Sequence, residues 1–230
     1  MAITSTLRNA IVNHQLAQAY LFTGPRGVGK TTCARIFAKT INCLNLQPNA
    51  EPCNECESCK AFNAGRSLNI HELDAASNNS VDDIRGLVEQ VRILPQVGKY
   101  SVYIIDEVHM LSASAFNALL KTLEEPPAHA IFILATTEVH KLPATVMSRC
   151  MRFDFRLVLE PTLKEYLRKV YAAENVTADE EALDLIATAA EGSVRDMLSI
   201  ADRCMNYSDN LTYADVLGVL GAGGKESTRE

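Results

Sequence analysis

Gly24-Pro25-Arg26-Gly27-Val28-Gly29-Lys30-Thr31 decides the fold. The stretch has the spacing G-x-x-x-x-G-K-[ST], in which glycines let the backbone turn so that several N–H groups face one anion. Upstream, Ala19-Tyr20-Leu21-Phe22-Thr23 is an apolar run of strand length; downstream, Thr32-Cys33-Ala34-Arg35-Ile36-Phe37-Ala38-Lys39 reads as a helix. A strand, a glycine turn and a helix start in that order form a phosphate cradle, because the first helical turn adds partial positive charge. Lys30 is spaced to reach the β- and γ-phosphates of ATP, and Thr31 to set its hydroxyl on Mg²⁺. Gly24, Pro25, Arg26, Gly27, Val28, Gly29 and Thr32 complete the nucleotide-binding set. A glycine turn without chemistry would not require motif, strand and helix to agree.

The chain has 230 residues, 47% hydrophobic and 22% charged, enough for one large domain or an ordinary one with a small companion. No apolar run reaches the roughly 18 residues a membrane helix needs. Met1 to Ala10 lacks the layout of a signal peptide, so a cytoplasmic protein with no membrane partner is expected. The net charge of −6 does not suit a protein that coats nucleic acid unaided. Seven cysteines in a reducing compartment are not a disulfide framework.

Strand-like runs recur at Ser67–Leu73, Ser101–Ile105, Ala130–Ala135 and Met151–Phe155, separated by helix-like stretches. One of these carries Phe116, Leu119, Leu120 and Leu123 at helical spacing behind Ser112; another follows a capping-box pattern at Ser80 and Asp83. Helix-like spacing also runs over residues 7–18. Such alternation predicts an α/β fold with a parallel five-stranded sheet covered on both faces. After Arg156 strands are expected to cease, with helices near 161–173, 178–190 and 193–206. Thr177 with Glu180 has capping-box spacing, Ser193 with Asp196 a weaker form, and Thr212 with Asp215 opens a last turn or two. The expected division is 1–157 for the sheet domain, 158–222 for a helical domain and 223–230 for a flexible tail.

Ile104-Ile105-Asp106-Glu107 puts two carboxylates at the carboxyl end of a buried strand, where ligands of open α/β sheets bind. Asp106 is expected to hold Mg²⁺ and Glu107 to orient and deprotonate an attacking water. His109 nearby reads as structural. Between residues 43 and 60 the pattern breaks into an insertion carrying Cys43, Cys53, Cys56 and Cys59 among Pro and Asn. Four thiolates suit a tetrahedral Zn²⁺ that would stand in for the core this insertion lacks. Ligand type alone also admits an iron–sulfur cluster, and free thiols are the bland alternative. Cys33, Cys150 and Cys204 read as small core residues.

Taken together, Ala19–Pro25, the cysteine insertion, Asp74-Ala75-Ala76-Ser77-Asn78-Asn79, Ile105–Leu111 and Phe116–Pro127 resemble the bacterial DNA polymerase III gamma/tau family. The resemblance runs from about Thr4 to Gly221. It implies a fold of the AAA+ phosphate-loop NTPase type, with the helical domain as its lid and the cysteine insertion as a zinc module. It also implies an ATPase, the motor of the loader that sets a sliding clamp on primer–template DNA during replication. Partners implied are the delta and delta-prime subunits, further gamma/tau copies, the clamp and the DNA.

Three more motifs carry roles only through this resemblance. Leu134-Ala135-Thr136-Thr137 matches the first phosphate sensor, with Thr137 favoured slightly over Thr136. Ser148-Arg149-Cys150 matches the arginine finger, so Arg149 would serve the nucleotide of a neighbouring subunit. Gly192-Ser193-Val194-Arg195-Asp196 matches the second sensor, so Arg195 would close onto phosphates of its own chain. By themselves both arginines read as surface salt-bridge partners. The family also has a basic, aromatic stretch before the residue matched by Ile3 and a third, collar domain; this sequence reads as domains I and II. Two other functions compete: a nucleotide-gated scaffold with incidental turnover, which Glu107 disfavours, and an AAA+ initiator or helicase loader, which the cysteine insertion and Ser-Arg-Cys disfavour.

Overall fold

The computed structural model describes residues 2–226. They divide into two compact units. One holds the chain through Gly24 and from Lys30 to Phe155; the other holds Pro25–Gly29 and the chain from Arg156 onward.

Five parallel strands build the first unit: β1 (Ala19–Thr23), β2 (Ile70–Asp74), β3 (Ser101–Asp106), β4 (Ala130–Thr136) and β5 (Met151–Asp154), in the spatial order β2-β3-β4-β1-β5. The three central strands are buried on both faces, which is why they read as continuous apolar runs. Their side chains alternate between two cores. Leu21, Tyr103, Ile105, Phe132 and Leu134 cluster with Ile84, Leu87 and Val91 of α4 (Val81–Val91) and with Phe116, Leu119 and Leu123 of α5 (Ala113–Glu124). Tyr20, Phe22, Val102, Ile104, Ile131 and Ile133 cluster with Leu7 and Ile11 of α1 (Ala2–Val12) and with Ala34, Phe37 and Ile41 of α2 (Lys30–Ile41). Each fully buried Ile or Phe contributes roughly 1.5–3 kcal/mol.

Register places Thr23 opposite Thr136, and Ile105 opposite Leu134, so the carboxyl ends of β1, β4 and β3 lie side by side. From β1 the chain runs toward the β2 edge; from β4 it runs toward the β5 edge. The two connections lie over opposite faces, Phe37 packing in one core and Val146 in the other, and loops that leave to opposite faces open a crevice beyond the strand ends.

Local signals place the helices. Ser80 and Asp83 form a reciprocal capping box on α4, and the Ser112 hydroxyl accepts the Ala115 N–H at the start of α5. Some elements differ from expectation. The first helix stops at Val12, and His14 then takes a left-handed conformation. β2 starts at Ile70 because the Ser67 hydroxyl accepts the Asn69 and Ile70 N–H groups, closing a turn. The insertion contains a helix, α3 (Glu57–Asn63), capped by Cys56. A one-turn helix, α6 (Ala144–Met147), precedes β5.

The second unit packs α7 (Glu160–Ala173), α8 (Glu180–Ala189), α9 (Val194–Tyr207) and α10 (Tyr213–Glu226) around Leu163, Leu167, Tyr171, Ile186, Met197, Ile200 and Val216. Strands do not cease after Arg156: β6 (Thr177–Ala178) pairs in parallel with β7 (Asn210–Leu211). Thr177 is therefore no helix cap. Its hydroxyl bonds Asp209 O and Asn210 Oδ1, and Asp179 takes the N-cap of α8. Ser193 does cap α9, and Thr212 with Asp215 bonds reciprocally at the start of α10. α10 continues to Glu226, into the stretch expected as a tail from 223; residues 227–230 of that stretch lie outside the described residues. No described helix is long and apolar enough to cross a membrane.

Candidate functional site

Phosphate-loop residues occupy the turn between β1 and α2. Gly24 has φ 144°, and a Cβ there would lie 2.3 Å from the Phe155 carbonyl oxygen, so only glycine fits. Lys30, the first residue of α2, is buried, and its ammonium donates to the Gly24 carbonyl at 2.8 Å. The lysine thus folds back over its own loop, holding positive charge at a helix N-terminus. Thr31 is next along α2. Its hydroxyl donates to Asp106 Oδ2 at 2.6 Å, although the two residues are 75 positions apart.

Asp106 ends β3, and its other oxygen accepts the Glu107 N–H at 2.9 Å. Glu107 then turns left-handed, with φ 50° and ψ 44°, a conformation uncommon for a residue other than glycine and frequent at functional sites. That turn separates the two carboxylates: one faces Thr31, the other the end of β4. Thr137 Oγ1 donates to Glu107 Oε2 at 3.3 Å. The structure therefore joins Thr31, Asp106, Glu107 and Thr137 through hydrogen bonds, with Lys30 beside Thr31 in the chain. Two hard oxygens, Thr31 Oγ1 and Asp106 Oδ2, converge as a Mg²⁺ site requires.

Arg149 is not part of this set among the described contacts. Just beyond α6, its guanidinium bonds Glu124 at 3.1 Å and the Thr145 carbonyl at 3.1 Å. Arg195 belongs to the helical unit. Its N–H donates at 3.2 Å to the carbonyl of Gly27, one of the five loop residues grouped with that unit. A Cβ on Gly27 would meet the Ser193 hydroxyl at 2.2 Å.

The sulfurs of Cys43, Cys53, Cys56 and Cys59 all lie within 4.8 Å of one another. A tetrahedron with metal–sulfur bonds of about 2.3 Å needs sulfurs about 3.8 Å apart, so the cluster suits a metal ion. Backbone N–H groups also point at sulfur: Cys53 at Cys43 (3.3 Å), Glu55 and Cys56 at Cys53 (3.4 and 3.2 Å), and Cys59 at Cys56 (3.4 Å). Such donors favour thiolates. Burial alone would raise the Cys56 thiol, but N–H groups of Leu44 and Cys59 outweigh it and bring it down to about 6. Burial, reinforced by its neighbours Cys56 and Cys43, pushes the Cys59 thiol up to about 12. A divalent cation at the centre would resolve that conflict. The remaining thiols lie elsewhere: Cys204 in the helical core, Cys33 and Cys150 half-buried beside the two sheet cores.

Sequence reading passed over two members of the acidic cluster. His109, taken as structural, contacts Thr136, Glu138 and Glu107, and Glu138 had drawn no notice. The available signal was a histidine two residues after Glu107, on a 3-10 turn (Val108–Met110).

Strand order and loop placement put the chain among AAA+ phosphate-loop folds. The RuvB Holliday junction branch migration motor of Thermotoga maritima superposes with a TM-score of 0.70 at 20% identity, over 96% of this chain and 67% of that one, a likeness of fold. The family described as DNA polymerase III, delta subunit, matches residues 1–158, and the DNA polymerase III clamp loader subunit, ATPase lid domain, matches residues 162–210. DNA polymerase III subunit tau of Bacillus subtilis (strain 168) is 52% identical over 96% of this chain and 39% of its own length. The tau subunit of Escherichia coli (strain K12) is 44% identical over 95% of this chain and 34% of its own. The gamma subunit of Buchnera aphidicola (subsp. Acyrthosiphon pisum) is 39% identical over 95% and 61%. The chain belongs to the DNA polymerase III gamma/tau family of clamp-loader subunits, and it spans about a third to three-fifths of the length of these relatives.

Proposed function

We propose that this chain is the ATP-hydrolysing motor portion of a clamp-loader subunit, acting in the cytoplasm. ATP binding and hydrolysis would gate the loading of a sliding clamp onto primer–template DNA. The observation that carries the reading is the Thr31–Asp106 hydrogen bond of 2.6 Å, which brings the end of the phosphate loop and the acidic end of β3 to one point.

In this reading Gly24 to Thr32 wrap the phosphates and Lys30 neutralises charge on the β- and γ-oxygens. Thr31 and Asp106 would hold Mg²⁺, which when bound would supply neutralising positive charge to the phosphates. Glu107 orients a water in line with the γ-phosphorus and takes its proton, while the leaving oxygen stays with ADP. Thr137 senses the γ-phosphate or the water. Arg195 would add charge from its own chain. Arg149 acts on the nucleotide of a neighbouring subunit; delta, delta-prime and further gamma/tau copies are the partners. The four cysteines hold a structural Zn²⁺, closed to substrate because the protein supplies all four ligands.

Hydrolysis measured with Glu107→Gln tests the assignment. The variant is expected to bind ATP with near-normal affinity and to lose turnover by about 10²–10⁴-fold, the range for a positioned base. Unchanged turnover, or clamp release by an assembled loader that ignores the substitution, would remove the motor reading and leave a scaffold.

A further inference from the structure

His109 is the most enclosed ionisable group at the acidic strand end, and its hydrogen bonds can be assigned atom by atom. Its side chain is 4% exposed. Nδ1 lies 2.8 Å from Thr136 Oγ1. Nε2 lies 3.2 Å from Glu138 Oε2 and 3.5 Å from Glu107 Oε2. Thr136 is wholly buried, and its hydroxyl oxygen already accepts the Glu138 N–H at 3.0 Å.

Counting protons fixes the direction of the bonds from Nε2. An ionised carboxylate only accepts. Glu138 is ionised at neutral pH, because a hydrogen bond from Lys141 at 3.0 Å holds its carboxyl below the usual range. Nε2, facing two carboxylates, therefore carries a hydrogen. When the ring is neutral, Nδ1 is the acceptor and Thr136 donates to it. The chain of bonds runs from the Glu138 N–H to Thr136, from Thr136 to His109, and from His109 to the carboxylates of Glu138 and Glu107. Thr136 spends its one hydroxyl hydrogen inside this chain. Thr137 is the threonine of the pair whose hydroxyl reaches Glu107.

Among the described contacts, both side-chain partners of Glu107 engage Oε2: Thr137 at 3.3 Å and His109 at 3.5 Å. That leaves Oε1 to face a water. We propose that His109 is a positioning residue for hydrolysis, its Nε2–H aimed by Thr136 so that Glu107 holds one oxygen still and offers the other to the attacking water. The inference rests on the proposed role of Glu107. It differs from a histidine that merely fills the core, because its effect falls on the rate of the bond-breaking step and not on nucleotide affinity.

Two substitutions separate the ring nitrogens. His109→Gln carries an amide N–H close to the place of Nε2 and preserves the bond toward Glu107; His109→Asn reaches only the place of Nδ1 and preserves the bond with Thr136. His109→Gln is expected to keep kcat within about fivefold of the unsubstituted chain. His109→Asn is expected to lower kcat about 10–100-fold, the scale for losing a group that orients a reacting one. KM, and the Kd for a non-hydrolysable ATP analogue, should move less than about twofold in either. Equal kcat for the two variants, or a loss confined to KM, overturns the proposal. Glu107→Gln run alongside separates the two claims. If it is inactive while His109→Asn turns over normally, only the positioning role fails; if it turns over normally, the role of Glu107 fails and the positioning role with it. A measurement without substitution guards against variants that do not fold: ¹⁵N shifts of the histidine ring at pH 8 should show Nε2 protonated and Nδ1 bare, and the opposite tautomer overturns the assignment.

Discussion

Metal removal should melt the cysteine insertion and spare the sheet beside it. Among residues 43–60 only Ala50, Ser58 and Cys59 are buried, and Leu44 and Leu46 are exposed. Burying one alanine and one thiol supplies about 2 kcal/mol at most. Ordering each residue of the segment costs roughly 1–2 kcal/mol. A structural zinc in a finger peptide supplies about 10–16 kcal/mol at neutral pH. A metal held by the four cysteines would thus dominate the insertion, whereas β1, β3 and β4 rest on apolar cores independent of it. The assay is amide hydrogen exchange before and after chelation, with bound metal quantified. Protection of the Cys53, Cys56 and Cys59 amides, which point at sulfur, should fall by at least about 10³-fold, equivalent to some 4 kcal/mol. Protection of Phe22, Ile104 and Ile133 should change by less than tenfold. Metal-free protein with residues 43–60 still protected would refute the reasoning, as would a preparation that never contained metal.

Other consequences follow from single contacts. Gly24→Ala sets a methyl against the Phe155 carbonyl at a φ that alanine resists, so thermal unfolding should report a loss of about 2–4 kcal/mol. Arg149→Ala should slow ATP turnover about 10³–10⁵-fold in a loader reassembled with its other subunits, measured by phosphate release, as expected of an arginine supplied across an interface. Hydrogen bonds from the Thr212 N–H and hydroxyl hold the Asp215 carboxyl below its usual range. Because the folded pKa is the lower one, the stabilisation is complete above the ordinary aspartate value of about 4 and disappears as pH falls through the lowered value. Backbone amide shifts at the start of α10, followed from pH 6 to pH 2, should show that loss in the native chain and not in Asp215→Asn.

Much of this architecture can be read from short stretches because the forces that set it are local or periodic. Ile104-Ile105 and the run from Ala130 to Thr136 announce strands buried on two faces, since water touches neither side. Phe116, Leu119 and Leu123 repeat on one face of α5 for the same reason. Thr31 and Asp106 lie far apart in the chain, yet their motifs each imply a strand end, and parallel pairing brings those ends together. What escaped reading depends on distant partners. Thr177 has the spacing of a capping box with Glu180, but pairing with Asn210, over thirty residues away, captured its hydroxyl. α3 lay hidden because its cysteines, serving as cap and cluster, break the apolar period. The partners of His109, Thr136 and Glu138, come from the end of another strand, so spacing along the chain does not pair them. Arg149 pairs with Glu124 within the chain, as an arginine ordinarily does.

The central claim is that Lys30, Thr31 and Asp106 surround the phosphates of a magnesium nucleotide. Titration calorimetry of Mg·ATP into the unsubstituted chain and into Lys30→Ala tests it directly. The account predicts saturable binding that weakens at least about 100-fold in Lys30→Ala and that collapses when magnesium is withheld. Absence of binding by the unsubstituted chain up to millimolar nucleotide, or equal affinity in both proteins, would contradict it.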